Sequence, residues 1–561
     1  MFPEDPEYLI RKYALQNAVL YKGKANSKAV MGKVLADDPA LRPMAKDLMP
    51  ISNRVVEEVN LLSPKEQREM LESIDASLLL REKGENRTEL TELPGAHMGK
   101  VVMRFAPGPS GPLHIGHSRV AILNDEYVRR YEGTFINRIE DTNPEKIDPE
   151  AYEMIPQDLE WLGVNVHKTI IQSDRFDLYY DITKQLLEKG HAYVCSCSAE
   201  DWRSLKESSK PCPHRDLPVD DQLDAYGRML SGYYSEGGAV VAIKTDLDHP
   251  NPAIRDFIAL RIVDTPHPRT GDRYHVYPMM NLSVAVDDHL LGLTHVLRGK
   301  DHLNNTMRQE YIFNYMGWKM PWYHHYGFVS IPETILKTSM VRNGIDEGKY
   351  SGWDDVRLGT FRALRRRGIQ PEAIRAYWVQ VGMKDVDIQF SWENLYAFNK
   401  DIVDPIANRY FFVWDPVKIR IEGVGDLVSK SPLHPDYPEK GTRMTELSDD
   451  IDVLITPEDR HLLEENGKVR LKDLCNIEFH DGKVTFIGNS LSILREGTRI
   501  VHWAAVNGPP AKVLMPDGTV KRGISEIIPK SEEGRVIQFE RFGFCRMEET
   551  SPTVRAVYSH H

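Results

Sequence analysis

Apolar side chains recur at helical spacing in the first part of the chain and in short strand-like runs further on. Leu9, Ile10, Tyr13 and Ala14 begin the helical pattern, which continues through segments rich in Ala, Lys and Glu. A helix repeats every 3.6 residues, so this spacing predicts a helical module over residues 1–98.

Strand-like and helix-like segments alternate in the next part of the chain. Residues 100–105 are β-branched and apolar, as in a buried parallel strand. The helix around His117 is predicted to end with a C-cap at Gly133, before a second strand over residues 134–141. This alternation predicts a doubly wound α/β sheet whose first half covers residues 99–192.

The later pattern predicts four further parts. A polar and cysteine-containing insertion interrupts the sheet, the alternation then resumes, a helix-rich basic region follows, and short β-like runs with Asp-Gly turns complete the chain. Their ranges are 193–290, 291–345, 346–404 and 405–561. The fold class is therefore multidomain: a doubly wound (Rossmann-type) α/β domain with helical N-terminal and stem regions and C-terminal all-β barrels.

Composition changes this picture only slightly. The 561 residues are 41% hydrophobic and 27% charged, as in an ordinary globular protein of several domains. No apolar run approaches the ~20 residues that span a bilayer, so no membrane association and a cytoplasmic location are expected. The formal net charge of −12 argues mildly against nucleic-acid binding, although it says little about local patches. Arginines at 357, 362 and 365–367 form such a patch, which equally fits a solvated helix face or phosphate contacts.

The most informative stretch is RFAPGPSGPLHIGHSR, residues 104–119. It leaves a predicted strand, passes through a Gly/Pro-rich turn and enters a helix near His114 and His117. Free backbone N–H groups and the helix dipole favour an anion at such a position. Two imidazoles can hydrogen-bond one polyphosphate, and Gly116 between them lets a base or ribose approach the backbone. The stretch therefore predicts a nucleotide-phosphate site.

This string resembles the first signature of class I aminoacyl-tRNA synthetases, in the glutamyl/glutaminyl subgroup. There, Arg-Phe-Ala-Pro-x-Pro-Ser-Gly precedes the histidine tetrapeptide. The resemblance implies that ATP is bound with the aid of His114, Gly116 and His117. It further implies that Arg104, Ala106 and Ser110 lie at the substrates.

The segment RIEDTNP follows the second predicted strand, on the edge where the phosphate site opens. Spacing alone favours strand-end capping by Asp141 and Thr142. The subgroup has a similar acidic string at the same distance from the histidines. By that resemblance, Glu140 holds the α-ammonium group of the amino acid and Arg104 holds a carboxylate.

The segment from Tyr277 to His302 resembles a Tyr-Pro, Asp-Asp-His and Thr-His-Val-x-Arg-Gly-x-Asp-His run of the glutamyl enzymes, and Tyr277 is taken as substrate-binding. A guanidinium at Arg298 pairs with a carboxylate through two hydrogen bonds, whereas a carboxamide would leave N–H groups unpaired. The residue therefore favours glutamate over glutamine, with a surface salt bridge to Asp301 as the alternative. Relatives commonly have a tyrosine followed by Asp or His where this chain has Met280 and Asn281, so an aromatic wall of the pocket is expected to be missing.

The second phosphate signature of this class is expected near residues 335–340, which read ILKTSM. Relatives usually have a lysine at the fourth or sixth place, and here the lysine is third. Lys337 is the candidate for the triphosphate contact, with Ser339 beside it.

Three of the five cysteines lie within eighteen residues. Cys195, Cys197, Cys212 and His214 form a C-x-C-x14-C-x-H pattern, which offers a tetrahedral zinc ion a closed structural site. Reduced, partly buried thiols are the alternative. Some related synthetases have a zinc-binding subdomain at this insertion, where it contacts the tRNA acceptor arm.

The resemblance extends along the chain and is strongest to archaeal-type glutamyl-tRNA synthetases. It implies L-glutamate, ATP with Mg²⁺, and tRNA-Glu as substrates and partners, and it leaves tRNA-Gln open. Trp503, Phe539 and Arg541 are candidates for anticodon contacts, although each alone fits a barrel core or strand face better. The alternatives are a glutaminyl-tRNA synthetase, a nucleotidyltransferase that binds no tRNA, and a non-catalytic tRNA-binding relative.

Overall fold

The structure is a computed structural model that describes residues 6–20, 23–75, 90–448 and 451–561. The chain divides into two compact units, residues 1–89 and 90–561. Residues 90–98, which the sequence pattern assigns to the helical module, lie in the second unit. Residues 1–5, 21–22 and 76–89 of the predicted module are outside the described residues. None of the described helices is long and apolar enough to cross a membrane.

The described residues of the first unit form four α-helices and one short 3-10 helix (Pro39–Met44) around one apolar core. The α-helices are α1 (Pro6–Leu20), α2 (Ser27–Asp37), α3 (Ala45–Asn60) and α4 (Pro64–Asp75). Ile10 and Ala14, which the sequence pattern places on one face of α1, are fully buried in this core with Val55 and Leu71. The helical spacing of the sequence therefore corresponds to a buried face.

The second unit begins with parallel β-α-β units. Their elements are β1 (Val102–Phe105), α5 (Ile115–Arg130), β2 (Thr134–Ile139), α6 (Ala151–Trp161), β3 (Lys168–Ile171) and α7 (Phe176–Glu188). The three strands form a parallel sheet in the order β1-β2-β3. Because all three strands run the same way, the turn after β1 and the segment after β2 meet at one edge of the sheet.

Gly133 does not end α5 as predicted. The helix ends at Arg130, and Glu132 takes the left-handed conformation with φ of 49°. Gly133 is needed for a different reason, because a Cβ atom there would lie 2.3 Å from the carbonyl oxygen of Val101. The glycine thus allows β1 and the start of β2 to approach closely.

An antiparallel insertion follows. Its elements are β4 (Ala192–Cys195), α8 (Ala199–Glu207), α9 (Val219–Leu230), β5 (Val240–Ile243), β6 (Phe257–Ile262), β7 (Val276–Pro278) and α10 (Met280–Leu290). The strand order is β4-β5-β6-β7. Its apolar face packs against α7 and α10.

The parallel sheet then resumes. The next elements are β8 (His295–Gly299), α11 (Leu303–Met316), β9 (Trp322–Tyr326), β10 (Val329–Ser330) and α12 (Thr338–Asp346). Strands β8 and β9 pair in parallel. The two parts of the sheet adjoin, because the Thr294 N–H donates to the Val102 carbonyl at 3.0 Å. The insertion therefore interrupts one α/β domain, and β1 lies between β2 and β8.

A helical region connects this domain to the C-terminal part. It contains α13 (Phe361–Arg366), α14 (Pro371–Val381), β11 (Ile388–Gln389) and α15 (Trp392–Val403). The helix α13 begins next to the first signature, since Phe361 N–H donates to the carbonyl of Leu113 at 3.0 Å.

The C-terminal part contains one α-helix, three short 3-10 helices and sixteen strands among its described residues. The elements are β12 (Arg409–Tyr410), β13 (Phe412–Trp414), β14 (Val417–Glu422), β15 (Leu427–Pro432), β16 (Thr442–Leu447), β17 (Ile451–Ile455), α16 (Pro457–Asn466), β18 (Lys468–Leu471), β19 (Cys475–His480), β20 (Lys483–Gly488), β21 (Arg499–Val501), β22 (Ala504–Ala505), β23 (Pro510–Leu514), β24 (Val520–Ser525), β25 (Val536–Phe539), β26 (Gly543–Glu549) and β27 (Val554–His560).

These strands form two seven-stranded sheets and a separate β15-β16 ribbon. One sheet has the order β12-β25-β26-β27-β23-β24-β13, and the other has the order β21-β18-β19-β20-β14-β17-β22. In each sheet the two edge strands follow each other in the chain: β12 and β13 in the first sheet, and β21 and β22 in the second. One short segment of the chain therefore supplies both edges of its sheet. The Asp481-Gly482 pair, with φ of 51° and 79°, turns the β19-β20 hairpin as the sequence predicts.

The close approach at Gly133 gives a stability prediction. We expect Gly133→Ala to lower the free energy of unfolding by about 2 kcal/mol, because the new methyl group would overlap the Val101 carbonyl. The loss should appear as a lower midpoint in thermal denaturation. Gly227→Ala in α9 is the matched control, since a Cβ atom there meets no atom within 4 Å. This variant should raise the free energy of unfolding by about 1 kcal/mol, because alanine favours a helix more than glycine does. Equal midpoints for both variants would contradict the contact.

Candidate active site

The turn after β1 is fixed by the segments that follow it. The carbonyls of Pro107 and Pro109 accept the N–H groups of Glu140 and Asp148 at 2.9 and 2.8 Å. The Leu113 N–H donates to the carboxylate of Asp158 at 2.7 Å. A segment with three prolines has few backbone donors of its own, so neighbouring elements set its shape.

His114 and His117 form a stacked pair at the start of α5. His114 is the N-cap, and its Nδ1 accepts the Gly116 N–H at 3.1 Å. The Nδ1 of His117 accepts the His114 N–H at 3.2 Å, and the two ring centroids are 3.8 Å apart. Each Nδ1 accepts a hydrogen bond from a backbone N–H, so the proton of each neutral ring is on Nε2. Both imidazoles can therefore donate an Nε2–H to an anion.

Burial keeps both rings neutral. It lowers the pKa of His114 to about 4. The pKa of His117 is held well below its ordinary value, first by burial and then by the nearby His114. The pair therefore offers hydrogen bonds at neutral pH without a full positive charge.

A first cavity of about 340 Å³ lies beside these histidines. It brings together five of the residues predicted from the sequence: Arg104, Ala106, Gly116, His117 and Arg298. Tyr326, Phe328 and Val329 also line it. A Cβ atom on Gly116 would lie 3.0 Å from the His114 ring, so a larger residue there would disturb the histidine pair.

Arg298 at the end of β8 is a buried cation whose partners are neutral. Both terminal nitrogens donate to Gln309 Oε1 at 3.0 Å, and one also donates to the Thr306 hydroxyl. The guanidinium lies 4.3 Å from the centre of the Tyr323 ring. Among the residues that the structure describes, no carboxylate lies within 4.0 Å of it, and the alternative salt bridge with Asp301 does not occur. Burial lowers the pKa of Arg298 to about 10, so the side chain remains charged at neutral pH and can bind an external carboxylate.

Asn281 supports this arginine indirectly. Its Oδ1 accepts a hydrogen bond from Gln309 Nε2 at 3.4 Å, and Gln309 is fully buried. Met280, the other unusual residue, begins α10 and lines neither this cavity nor the second one described below. An aromatic ring does lie against Arg298, but Tyr323 supplies it from β9.

A buried charge network connects the other predicted amino-acid residues. Arg138 pairs with Asp288 at 2.6 Å and with Glu140 at 2.9 Å. Asp288 also lies 3.7 Å from Arg104 and accepts the Tyr323 hydroxyl at 2.9 Å. Burial alone would raise the pKa of Asp288, but Arg138 and Arg104 outweigh burial and lower it. The network thereby sets the positions of Arg104 and Glu140 relative to the Tyr323 ring.

Tyr277 is not brought to this cavity. It is fully buried among the apolar side chains of the antiparallel insertion, and its hydroxyl has no hydrogen-bond partner among the described residues. The sequence pattern identifies its segment but cannot show which way the ring points.

A second cavity of about 690 Å³ holds Lys337, Ser339 and Ser110. Lys337 is the N-cap of α12, and its exposed ammonium has no acidic partner in the described part of the chain. Arg342, one turn after Ser339, lines the same cavity and pairs with Asp148. Arg342 is not among the residues predicted from the sequence, although its i+3 spacing from Ser339 places both on one helix face. The Asp148 pair links the second signature to the turn of the first.

The four predicted metal ligands converge. The donor atoms of Cys195, Cys197, Cys212 and His214 all lie within 4.8 Å of one another. The sulfur of Cys212 is 3.3 and 3.6 Å from the other two sulfurs and 3.3 Å from His214 Nδ1. Tetrahedral zinc with Zn–S bonds of about 2.3 Å needs sulfur separations of about 3.8 Å, so the set fits this ion closely. The other ring nitrogen of His214 lies 3.0 Å from the Ser196 hydroxyl, which can hold the ring in place.

The three anticodon candidates differ in accessibility. Trp503 and Phe539 belong to the apolar interiors of the two seven-stranded sheets. Arg541 is exposed and pairs with Asp459 at 2.8 Å.

Comparisons with known proteins place this geometry in context. Residues 100–405 match the family model described as tRNA synthetases class I (E and Q), catalytic domain. Residues 407–492 match the model described as tRNA synthetases class I (E and Q), anti-codon binding domain.

Three curated relatives are similar along nearly the whole chain. A glutamate–tRNA ligase of Thermoplasma volcanium is 48% identical, and the match covers 98% of this chain and 99% of the relative. A glutamate–tRNA ligase of Methanopyrus kandleri is 48% identical, with 98% of each chain covered. One of Methanocaldococcus jannaschii is 50% identical, with 97% of this chain and 98% of the relative covered.

The hydrogen bonds and burial of the histidine pair predict its titration. His114 should remain the neutral Nε2–H form down to about pH 4, whereas an unperturbed histidine is half protonated near pH 6.5. Below about pH 6.5 the unfolded chain takes up a proton that the folded chain does not, so this residue lowers stability as the pH falls. Imidazole ¹⁵N shifts of the histidine-labelled protein, assigned with His114→Asn, measure both properties. A midpoint near 6.5 would contradict the assignment.

Proposed function

The chain belongs to the class I tRNA synthetases for glutamate and glutamine, and we propose that its two cavities activate glutamate with ATP before its transfer to tRNA. The observation that carries the choice of glutamate is the buried guanidinium of Arg298, which has no carboxylate partner among the described residues. A glutamate side chain would supply that partner. Glutamine would leave one of the arginine N–H groups unpaired.

The reaction proceeds in two steps. The α-carboxylate of glutamate attacks the α-phosphorus of ATP, the bond to the β-phosphate breaks, and pyrophosphate leaves. A hydroxyl of the terminal tRNA ribose then attacks the acyl carbon, and AMP leaves. Neither step demands strong acid–base catalysis, so positioning and stabilisation of phosphate charge are the main tasks of the site.

The first cavity holds the amino acid in this proposal. Arg298 binds the side-chain carboxylate, and Arg104, which lines the same cavity, also binds a carboxylate. Glu140 is available for the α-ammonium group, because only one of its oxygens pairs with Arg138. Ala106 contributes a small wall. Tyr277 takes no direct part, since it is enclosed in the insertion.

The histidine pair and the second cavity hold the triphosphate. The Nε2–H groups of His114 and His117 donate to phosphate oxygens, and Gly116 leaves room for the nucleoside. Lys337 and Arg342 supply positive charge, and Ser110 and Ser339 supply hydroxyl donors. Mg²⁺, which binds phosphate oxygens and keeps several of its waters, neutralises the triphosphate when it is bound.

We assign the remaining parts to tRNA. Residues 193–290 contact the acceptor arm, and zinc held by the Cys/His group stabilises this subdomain. Residues 346–404 contact the stem, and the two seven-stranded sheets in 405–561 close into barrels that bind the anticodon. Exposed Arg541 is the retained candidate for a base contact, because Trp503 and Phe539 are enclosed.

Charging assays test the glutamate assignment. The protein should attach radiolabelled glutamate, and not glutamine, to a tRNA-Glu transcript. A tRNA-Gln transcript, tested in parallel, shows whether the enzyme is discriminating. Arg298→Gln should lower kcat/KM for glutamate by about 10²- to 10³-fold and leave the KM for ATP unchanged, because it leaves the substrate carboxylate unpaired. Arg298→Lys should recover only part of the loss.

Arg129→Gln is the matched control. Arg129 is an exposed arginine on α5 that pairs with Asp125, so its loss should leave both KM values unchanged. Glutamine charging by the wild-type protein would overturn the role of Arg298. The absence of any charging would favour a non-catalytic tRNA-binding relative.

The zinc assignment has an independent test. Purified protein should contain about one zinc ion per chain by mass spectrometry of the metal, and Cys212→Ser should lose most of it. Cys475→Ala is the control, because Cys475 lies in the core of a C-terminal sheet, apart from the Cys/His group. Equal zinc contents in the two variants would favour ordinary reduced thiols.

A further inference from the structure

The basic segment 357–367 is largely neutralised within the protein. Arg357 pairs with Asp355, and Arg366 pairs with Glu548. Arg362 lies 3.7 Å from Asp158. Arg367 is buried and donates to the Tyr396 hydroxyl and the Ser559 carbonyl. Four of the five arginines are therefore occupied, and Arg365 is the exception.

Arg365 lines a third cavity of about 540 Å³ together with Arg535 and Arg546. Arg365 lies on α13, and the other two approach from the turn before β25 and from β26. None of the three side chains makes an ion pair or a hydrogen bond with any residue that the structure describes. Residues far apart in the sequence thus bring three unpaired guanidinium groups to one concave surface.

The electrostatics of this third cavity favour an anion. Arg546 is half-buried, and burial is the main cause that lowers its pKa. The nearby charge of Glu548 raises this pKa, whereas the charges of Arg365 and Arg366 lower it, and the net direction is down. Glu548, the nearest acid, is already paired with Arg366. Like charges held together at a partly buried place cost free energy, which a bound anion would recover.

The close approach of Gly368 brings Arg546 near to α13, the helix that carries Arg365. Gly368 has φ of 83°, and a Cβ atom there would lie 2.8 Å from Val536 and 3.2 Å from the Cβ of Arg546. Trp161 and the exposed side chain of Ile406 provide an apolar part of the same cavity. Cationic and apolar walls together suit a nucleotide unit, with phosphate on the arginines and sugar or base on the apolar part.

The third cavity is also close to the chemistry. The backbone of Thr360 bridges to His114, and α13 begins at the next residue. This helix is six residues long, or about 9 Å at 1.5 Å per residue. One short helix thus connects the first signature to Arg365 in the third cavity.

We propose that Arg365, Arg535 and Arg546 form a binding site for a backbone phosphate of the tRNA. The proposal rests on the function proposed above, which supplies the RNA partner. A chain with a net charge of −12 needs local positive sites to hold a polyanion. Here the cations are available because none of the three forms an ion pair with an acid of the described protein, and Glu548, which acts on Arg546 through its charge, is paired with Arg366.

The test measures binding of labelled tRNA-Glu transcript to the full-length protein at several KCl concentrations. Arg546→Gln should weaken binding about fivefold and reduce the slope of log Kd against log salt by about one, since each lost phosphate contact releases one counterion fewer. The triple Arg365→Gln, Arg535→Gln, Arg546→Gln variant should reduce the slope by about three. The kcat for charging at saturating tRNA should stay at the wild-type value.

Arg555→Gln is the matched control, because Arg555 lies on the neighbouring strand β27, is exposed and pairs with Glu549. It should keep the wild-type slope. Arg535→Gln alone covers the case in which the triple variant does not fold, because Arg535 is exposed. An unchanged slope in Arg535→Gln and Arg546→Gln would overturn the proposal.

Calorimetric titration with inorganic phosphate distinguishes a backbone phosphate of tRNA from a free phosphate ion as the ligand. Phosphate binding that the arginine variants lose, with unchanged tRNA binding, would assign the cavity to a free ion and overturn the RNA proposal. Failure of the wild-type protein to charge tRNA with glutamate would instead contradict the function itself. The two failures therefore give different results.

Discussion

The buried pair of Arg138 and Asp288 is the interaction on which the amino-acid side of the site depends. Both side chains are inaccessible to solvent, so neither charge is stable there without the other. The pair joins β2 of the α/β domain to α10, the last element of the antiparallel insertion. It also helps to position two residues that line the first cavity: Arg104, which lies near Asp288, and Arg298, which lies over the Tyr323 ring. Removal of either partner would leave a buried charge and disturb both halves of the α/β domain.

The site therefore combines two kinds of positive charge. The guanidinium of Arg298 is held rigidly by Gln309, Thr306 and the Tyr323 ring, which suits recognition of a planar carboxylate. Lys337 is exposed at the start of α12 and keeps the conformational freedom of its long side chain. In the proposed function, the rigid cation of Arg298 selects the amino acid, and the mobile cation of Lys337 accommodates phosphates whose geometry changes during the reaction.

The sequence predicts those functional residues that lie close together in the chain. The turn after β1, the histidines at the start of α5 and the Cys/His cluster lie within short segments, and their residue types determine their backbone. Asp288 and Tyr323 could not be assigned in this way, because their roles arise from contacts between distant elements. Tyr277 shows the same limit, since a strand pattern identifies its segment but not the face on which its ring is buried. The basic segment shows it again, because its pairing depends on acids up to 182 residues away.

The strand orders of the C-terminal part have a consequence for how this region forms. Strands β14 and β17–β22 belong to one seven-stranded sheet and occupy residues 417–505, with a single ribbon and one α-helix between them. The other seven-stranded sheet takes β12 and β13 from before this segment and β23–β27 from after it. During synthesis the inner sheet can fold as soon as its own residues have left the ribosome, whereas the outer one must keep its first two strands unpaired until later strands arrive. The inner sheet thus acts as a folded spacer that brings the two halves of its neighbour together.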